Sequence, residues 1–255
     1  MIEVQDIYVL FLIIIIFSVF QSCLGVGLLL FGTPTLIILG YSYVEILWII
    51  LPSSIVISLT QVLFDRDLVQ AKKSIFLLTV PALAIGLIII LLSGDLVNVS
   101  KIVGIALLIV AFIRQSKVLN AYLSNNIRSR ASIYLIFTGL IHGLSNMGGG
   151  PLSVLMSSLH NSKSVIRVNI AYVYLFFGIS QIIILTIFQL NVFEVNYLVF
   201  PVVAIMSYFF IGKPLSNYID DNKYQSFITI MIFIYGFLAL IEFNLYASWW
   251  VLYKT

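Results

Sequence analysis

The sequence predicts an all-α polytopic membrane protein made of two inverted repeats, each a short glycine-broken helical hairpin plus three transmembrane helices. Three observations carry that prediction. Hydrophobic residues fill 62% of the 255 positions and charged residues only 9%, against roughly 25% charged in a soluble domain. Apolar runs of the length a bilayer demands, about 20 residues per helix, recur along the chain. The order of long runs, short runs and glycine clusters in the first half returns in the second. Runs such as 10–16 and 83–92 are apolar on every face, which excludes the alternating polarity of barrel strands.

The first repeat is read as residues 1–122 and the second as 123–255, together a single membrane domain. The first segment, about 7–24, is an apolar helix with Ser18, Gln21, Ser22 and Gly25 on one face, at i, i+3, i+4 and i+7. It runs into Gly25-Val26-Gly27. A short segment, about 27–39, follows and contains Gly32-Thr33-Pro34. Full-length helices are expected at about 44–64, 73–93 and 100–119, the first of them carrying Ser54, Ser58 and Gln61 on one face.

The second half opens with a helix at about 131–145, where Thr138, His142 and Ser145 share a face. It meets the strongest local signal in the chain, Asn146-Met147-Gly148-Gly149-Gly150-Pro151. Each glycine costs a helix roughly 1 kcal/mol against Ala, and proline suits a first turn because it lacks an amide hydrogen. One helix therefore ends near Asn146 and another starts near Pro151, running over about 150–159. Helices follow at about 165–189, 195–211 and 224–247. The first of these carries Asn169 and Tyr172 near its start, and Tyr174, Gly178 and Gln181 along one face. Gly25-Val26-Gly27 aligns with Asn146-Met147-Gly148 at an offset of 121, and Gln61 with Gln181 at 120.

Lys and Arg decide whether each opening pair crosses once or turns back, because cytoplasmic loops are enriched in them. If both pairs return to the side they left, 11 of the 13 basic residues share one face. If each pair crosses once, the split is 8 to 5. The hairpin reading is therefore preferred. It inverts the second repeat relative to the first and puts both termini outside the cytoplasm, in a cytoplasmic (inner) membrane protein. Inverted repeats with interrupted helices are a recurrent transporter plan, with the site near the midplane.

Broken backbone cannot face lipid, because its polar groups would go unsatisfied. It is buried in protein or lines a wet cavity. A helix start offers free amide hydrogens and the positive end of the dipole, which together favour an anion. The candidate substrate-binding set is therefore Gln21, Ser22, Gly25, Gly27, Ser54, Gln61, His142, Ser145, Asn146, Gly148, Gly149, Gly150, Asn169, Tyr172, Tyr174 and Gln181. The competing reading of the glycines is close helix packing, which small residues permit. His142 is the clearest ionisable group deep in a helix, a position that marks functional candidates. It can bind substrate, carry a coupling proton, or serve only as a hydrogen-bond partner. His160 falls in a loop.

All 13 Lys and Arg fall at or near helix ends, so an anion at the centre would rest on amides and hydroxyls. No metal-ligand spacing, phosphate loop or nucleophile motif appears, and no cofactor is expected. The partners implied are a small anionic substrate, a coupling ion (proton or sodium) and the lipid bilayer, with no nucleic acid. A secondary transporter fits best. An anion channel of the same fold, or a membrane-embedded enzyme using His142, are the alternatives.

The stretch Phe137-Thr-Gly-Leu-Ile-His-Gly-Leu-Ser-Asn-Met-Gly-Gly-Gly-Pro151 resembles the second-repeat glycine motif of the sulfite exporter TauE/SafE family. Gln21-Ser-Cys-Leu-Gly-Val-Gly-Leu-Leu-Leu-Phe-Gly-Thr-Pro34 is similar to its first-repeat partner. The stretch from Pro201 to Tyr218 is similar to the family's penultimate helix and following loop. The resemblance implies secondary transport of sulfite, thiosulfate or small organosulfonates, in either direction. Two places depart from the family pattern: Leu28 and Leu29 in the first repeat, and Asn146 in the second, stand where glycines are usual.

Overall fold

The computed structural model describes residues 4–70, 73–93, 131–160 and 162–220, with scattered positions inside 104–119 and 226–237. The expected helices at 100–119 and 224–247 lie largely outside the described residues. Helix α1 spans Val4–Leu24. A π-helical turn, Leu28–Gly32, runs directly into α2, Thr33–Ile38. Helix α3 spans Tyr43–Phe64 and α4 spans Lys73–Ser93. In the second half α5 is Ala131–Ser145, α6 is Gly149–Leu159 and α7 is Lys163–Phe188. The last described span, Val195–Ser216, contains α8, Val199–Ser207, a π-helical stretch Tyr208–Gly212, and α9, Lys213–Ser216. Among the described residues five helices are long and apolar enough to cross a membrane. Large apolar side chains such as Leu77, Leu92, Ile187 and Phe210 remain exposed, as an outer face against lipid requires.

Local chemistry sets the boundaries. Helix α3 starts at a capping box: Ser42 Oγ accepts from the Glu45 amide, and the Glu45 carboxylate accepts from the Ser42 amide at 2.9 Å. This satisfies two of the donors a helix start leaves open. Helix α1 stops because Gly25 adopts a left-handed conformation, φ 78°, and α5 stops because Asn146 does the same at φ 61°. Asparagine is among the few side chains that tolerate this region. Asn146 therefore keeps the backbone turn even though it departs from the usual glycine.

Both opening pairs turn back. Beyond Gly25 the chain packs along the helix it has just left. A Cβ on Gly27 would meet the Gln21 amide and the Phe17 carbonyl, and Gly32 lies against Phe17 and Ile50. In the second half a Cβ on Gly148 would meet His142 and the Thr138 carbonyl. Farther along, the Tyr134 hydroxyl donates to the Pro151 carbonyl at 2.8 Å. The returning helices span Leu28–Ile38 and Gly149–Leu159. Eleven residues at 1.5 Å each reach about 16 Å, well short of the roughly 30 Å hydrocarbon core.

Helix directions follow from the contacts. Trp48 Nε1 donates to the Gln189 carbonyl at 3.1 Å, Gly178 packs on Ile55, and Asp65 pairs with Arg167. Helices α3 and α7 are thus antiparallel. Gly139 packs on Thr79 and Gly143 on Leu83, so α4 and α5 are parallel. Phe11 meets Phe200 with ring centroids 5.6 Å apart, and the Cys23 thiol lies 3.5 Å from the Gly212 carbonyl. Helices α1 and α8 are therefore parallel as well. The glycines at these crossings let the backbones approach closely, which is how membrane helices associate without a hydrophobic drive between them.

Candidate functional site

The two hairpin tips meet. Asn146, at the turn of the second, donates from Nδ2 to Thr33 Oγ1 of the first at 2.9 Å. A Cβ on Gly149 would sit 3.3 Å from Val26 Cγ1 and would collide with the Tyr174 hydroxyl. Val26, Thr33, Asn146, Gly149 and Tyr174 are all fully buried. Main chain at two helix interruptions is thus brought face to face inside the protein.

A hydrogen-bond chain stiffens the second tip. Gln181 Oε1 lies 3.1 Å from His142 Nε2, Gln181 Nε2 donates to Asn146 Oδ1 at 3.3 Å, and Asn146 passes the chain on to Thr33. The imidazole lies over Phe177, centroids 4.4 Å apart. Two polar atoms here have no protein partner: His142 Nδ1 and the Tyr174 hydroxyl. Buried polar groups are nearly always hydrogen-bonded. Both therefore point to a further partner at the start of α6, where the opening amides of the helix also lie. A helix start with an unpaired hydroxyl against it suits an anion, since both present positive charge.

The first tip is tied down differently. Gln21 Nε2 donates to Ser54 Oγ at 2.9 Å and to Ser58 Oγ at 3.1 Å. Gln61 Nε2 donates to the carbonyls of Gln21 and Ser22, at 3.3 and 3.1 Å. Arg167 reaches the same place from α7. Its Nη1 donates to the Ser22 carbonyl at 3.3 Å and to Ser216 Oγ at 3.1 Å, and its Nη2 lies 2.7 Å from Asp65 Oδ2. The last carbonyls of a helix lack partners of their own, and a cation there also complements the dipole. Among the described residues no group of three or more His, Cys, Asp or Glu could hold a metal ion.

A family model for the sulfite exporter TauE/SafE matches residues 10–238. The chain belongs to that family. It is therefore an integral, multi-pass membrane protein of a transporter family whose substrates are sulfite or related anions. No curated protein and no solved structure matches it.

Most residues singled out from the sequence converge on the two tips of this TauE/SafE fold. His142, Asn146, Gly148, Gly149, Tyr174 and Gln181 gather at the second. Gln21, Gly25, Gly27, Ser54 and Gln61 gather at the first, with Gly25 packed on the Arg167 backbone. Gly150 follows in the first turn of α6, where the Ser153 hydroxyl donates to its carbonyl at 2.7 Å. Ser145 Oγ donates to the Ile141 carbonyl at 2.7 Å and accepts from the Met147 amide at 3.3 Å, so it serves the turn. Ser22 lies on another side of α1, against Gly212. Two residues lie elsewhere. Asn169 clamps the 65–70 loop through the Leu68 carbonyl and the Gln70 amide, at 3.0 and 2.7 Å. Tyr172 meets Phe76 and Phe176 edge to face. His160 caps the end of α6 and is only partly buried, which lowers its pKa below the usual imidazole value.

The candidate set lacked Thr33, Val26, Ser58, Asp65 and Arg167. Gly32-Thr33-Pro34 carried a readable signal for the first. Arg167, five positions into α7, looks like an ordinary membrane-face cation until tertiary structure pairs it with Asp65.

Proposed function

We propose that the protein is a secondary transporter that moves a small sulfur oxyanion or organosulfonate across the cytoplasmic membrane by alternating access. The site lies between the two hairpin tips near the midplane. One observation carries the reading: two interrupted helices meet tip to tip around a buried, unpartnered hydroxyl and an imidazole nitrogen, beside the opening amides of α6. Tyr174 donates to the anion, the amides at Gly148 and Gly149 share its charge, and His142 completes the wall.

The helix directions support two inverted repeats, residues 1–122 and 123–255. Helices α3 and α7 are equivalents by offset and run antiparallel. Helix α1 pairs in parallel with α8, the equivalent of α4, and α5 pairs in parallel with α4. Each repeat thus exchanges its opening helix with the other, as a two-fold axis in the membrane plane demands. With the basic residues cytoplasmic, both termini face away from the cytoplasm. Rocking of one repeat against the other would open the tips first to one side and then to the other, with a proton or sodium ion as the coupling partner.

Flux assays with reconstituted protein test the proposal. Saturable uptake of sulfite or methanesulfonate, net of protein-free vesicles, is expected. No protein-dependent flux of any sulfur oxyanion would overturn it.

A further inference from the structure

We infer that the site between the hairpin tips accepts oxyanions bearing a single negative charge and rejects dianions of the same shape. The inference rests on the transporter reading above and concerns the charge of what is carried.

Among the described residues, the wall at the second tip is built of uncharged side chains. Tyr174, His142, Asn146, Gln181 and Thr33 present dipoles only. Among the described residues, the basic side chain bonded to a hairpin tip is Arg167, through the Ser22 carbonyl. Its charge is already matched: Asp65 lies 2.7 Å from Nη2. Its Nη1 donates to the Ser22 carbonyl and Ser216, and its buried Nε, also at the first tip, has no partner. Lys163 donates to the carbonyls of Ser216 and Ile219, beside the Ser216 hydroxyl that Arg167 holds at the first tip. Both cations are thus held at the first tip, and among the described residues no cationic side chain is bonded to the second tip, where the anion lies.

Charge magnitude then decides. The cost of moving an ion out of water grows as the square of its charge, so a dianion costs about four times as much as a monoanion of equal size. Attraction to fixed dipoles grows only linearly with that charge. Neutral donors such as a hydroxyl and a few amides can balance the smaller cost and fall short of the larger one. A dianion site would need an unmatched Lys or Arg against the ligand.

Methanesulfonate and thiosulfate provide the comparison, since both are tetrahedral sulfur anions of nearly the same shape, the first a monoanion and the second a dianion. In liposomes containing the full chain, net of protein-free vesicles, methanesulfonate flux should exceed thiosulfate flux by at least about tenfold, the ratio for a 1.4 kcal/mol difference. Sulfite gives a second reading. At fixed total concentration its flux should fall as pH rises past neutrality and bisulfite becomes the dianion, while methanesulfonate flux stays level. The level profile matters because titratable groups lie nearby: His142, Tyr174 and Tyr134 at the second tip, and Cys23, Asp65, Lys163, Arg167 and Tyr208 around the first. Asp65→Asn, which unmasks Arg167, should shift the thiosulfate-to-methanesulfonate ratio toward thiosulfate several-fold. Adding Arg167→Gln should reverse that shift.

Equal thiosulfate and methanesulfonate fluxes would overturn the charge assignment and leave the transporter reading standing. So would a methanesulfonate flux that falls with pH alongside sulfite. Absence of flux for every anion would overturn the transporter reading itself.

Discussion

The two hairpins share one backbone and differ in what they do with it. Gly25 and Asn146 both turn left-handed, at φ 78° and 61°. Gly27 and Gly148 both pack onto the helix just completed, against Phe17 and Gln21 in one case and Thr138 and His142 in the other. The first tip is then bound up along its main chain, and the orphan atoms there, Gln61 Oε1 and Arg167 Nε, belong to the side chains that bind it. Gln61 and Arg167 donate to the carbonyls that end α1, and Leu28, Leu29 and Leu30 fill the return. The second tip returns through glycines and leaves the Tyr174 hydroxyl and His142 Nδ1 without protein partners. The difference teaches that what the two hairpins have in common is a turn. In the proposed mechanism anion recognition is concentrated in the second copy, and the first anchors it.

Substitutions at equivalent places should separate the two roles. The largest effect is expected at Gly27→Leu. The new side chain meets α1 backbone, which cannot move aside, so a cost of roughly 3 kcal/mol or more is expected. Detergent-solubilised protein should show a large loss of thermal stability or of folded yield. Gly149→Leu should differ in kind. It drives into the Tyr174 hydroxyl, a side-chain rather than a backbone neighbour, and fills the site. Membrane-inserted protein should survive while flux is lost. Equal loss of fold in both variants would erase the distinction between the tips.

A middle-sized effect is expected at Asn146. Asn146→Ala forces an alanine into the left-handed region at about 1–2 kcal/mol and removes the bonds to Thr33 and Gln181, each worth about 1 kcal/mol. Asn146→Gly removes the bonds and keeps the turn, so its melting temperature should lie between Ala and wild type. Alanine as stable as glycine would mean that the backbone conformation is not what selects the residue.

The smallest change in stability is expected at Tyr174→Phe. Deleting a buried, unpaired hydroxyl should leave stability level or raise it by up to about 1 kcal/mol. Anion affinity should weaken by about tenfold, or 1.4 kcal/mol. Unchanged affinity would remove this hydroxyl from the site.

Much of this was legible in the sequence because lipid imposes simple rules. Length and apolarity located the spans, including 131–145 and 73–93 at their observed bounds. Glycine and proline located the interruptions, and the distribution of Lys and Arg favoured opening pairs that turn back. Depth was harder to read. Helical periodicity put Asn169, Tyr172 and Tyr174 on one helix but could not say which turn meets a hairpin tip. Only Tyr174 does, because α7 is 26 residues long and its first turns pack against the 65–70 loop and Phe76. The Asp65–Arg167 pair joins residues far apart in sequence, and no local pattern announces it. Asn146 looked like a loss of the glycine motif, yet its side chain both tolerates the turn and ties it to Thr33.

The most direct test of the meeting tips is thiol accessibility at Val26. In a Cys23→Ala background, Val26→Cys in active, reconstituted protein should react with membrane-impermeant thiol reagents applied from either side, and methanesulfonate should slow both reactions. Failure to label from either face during turnover, or labelling that methanesulfonate leaves unchanged, would contradict a substrate site between the hairpins.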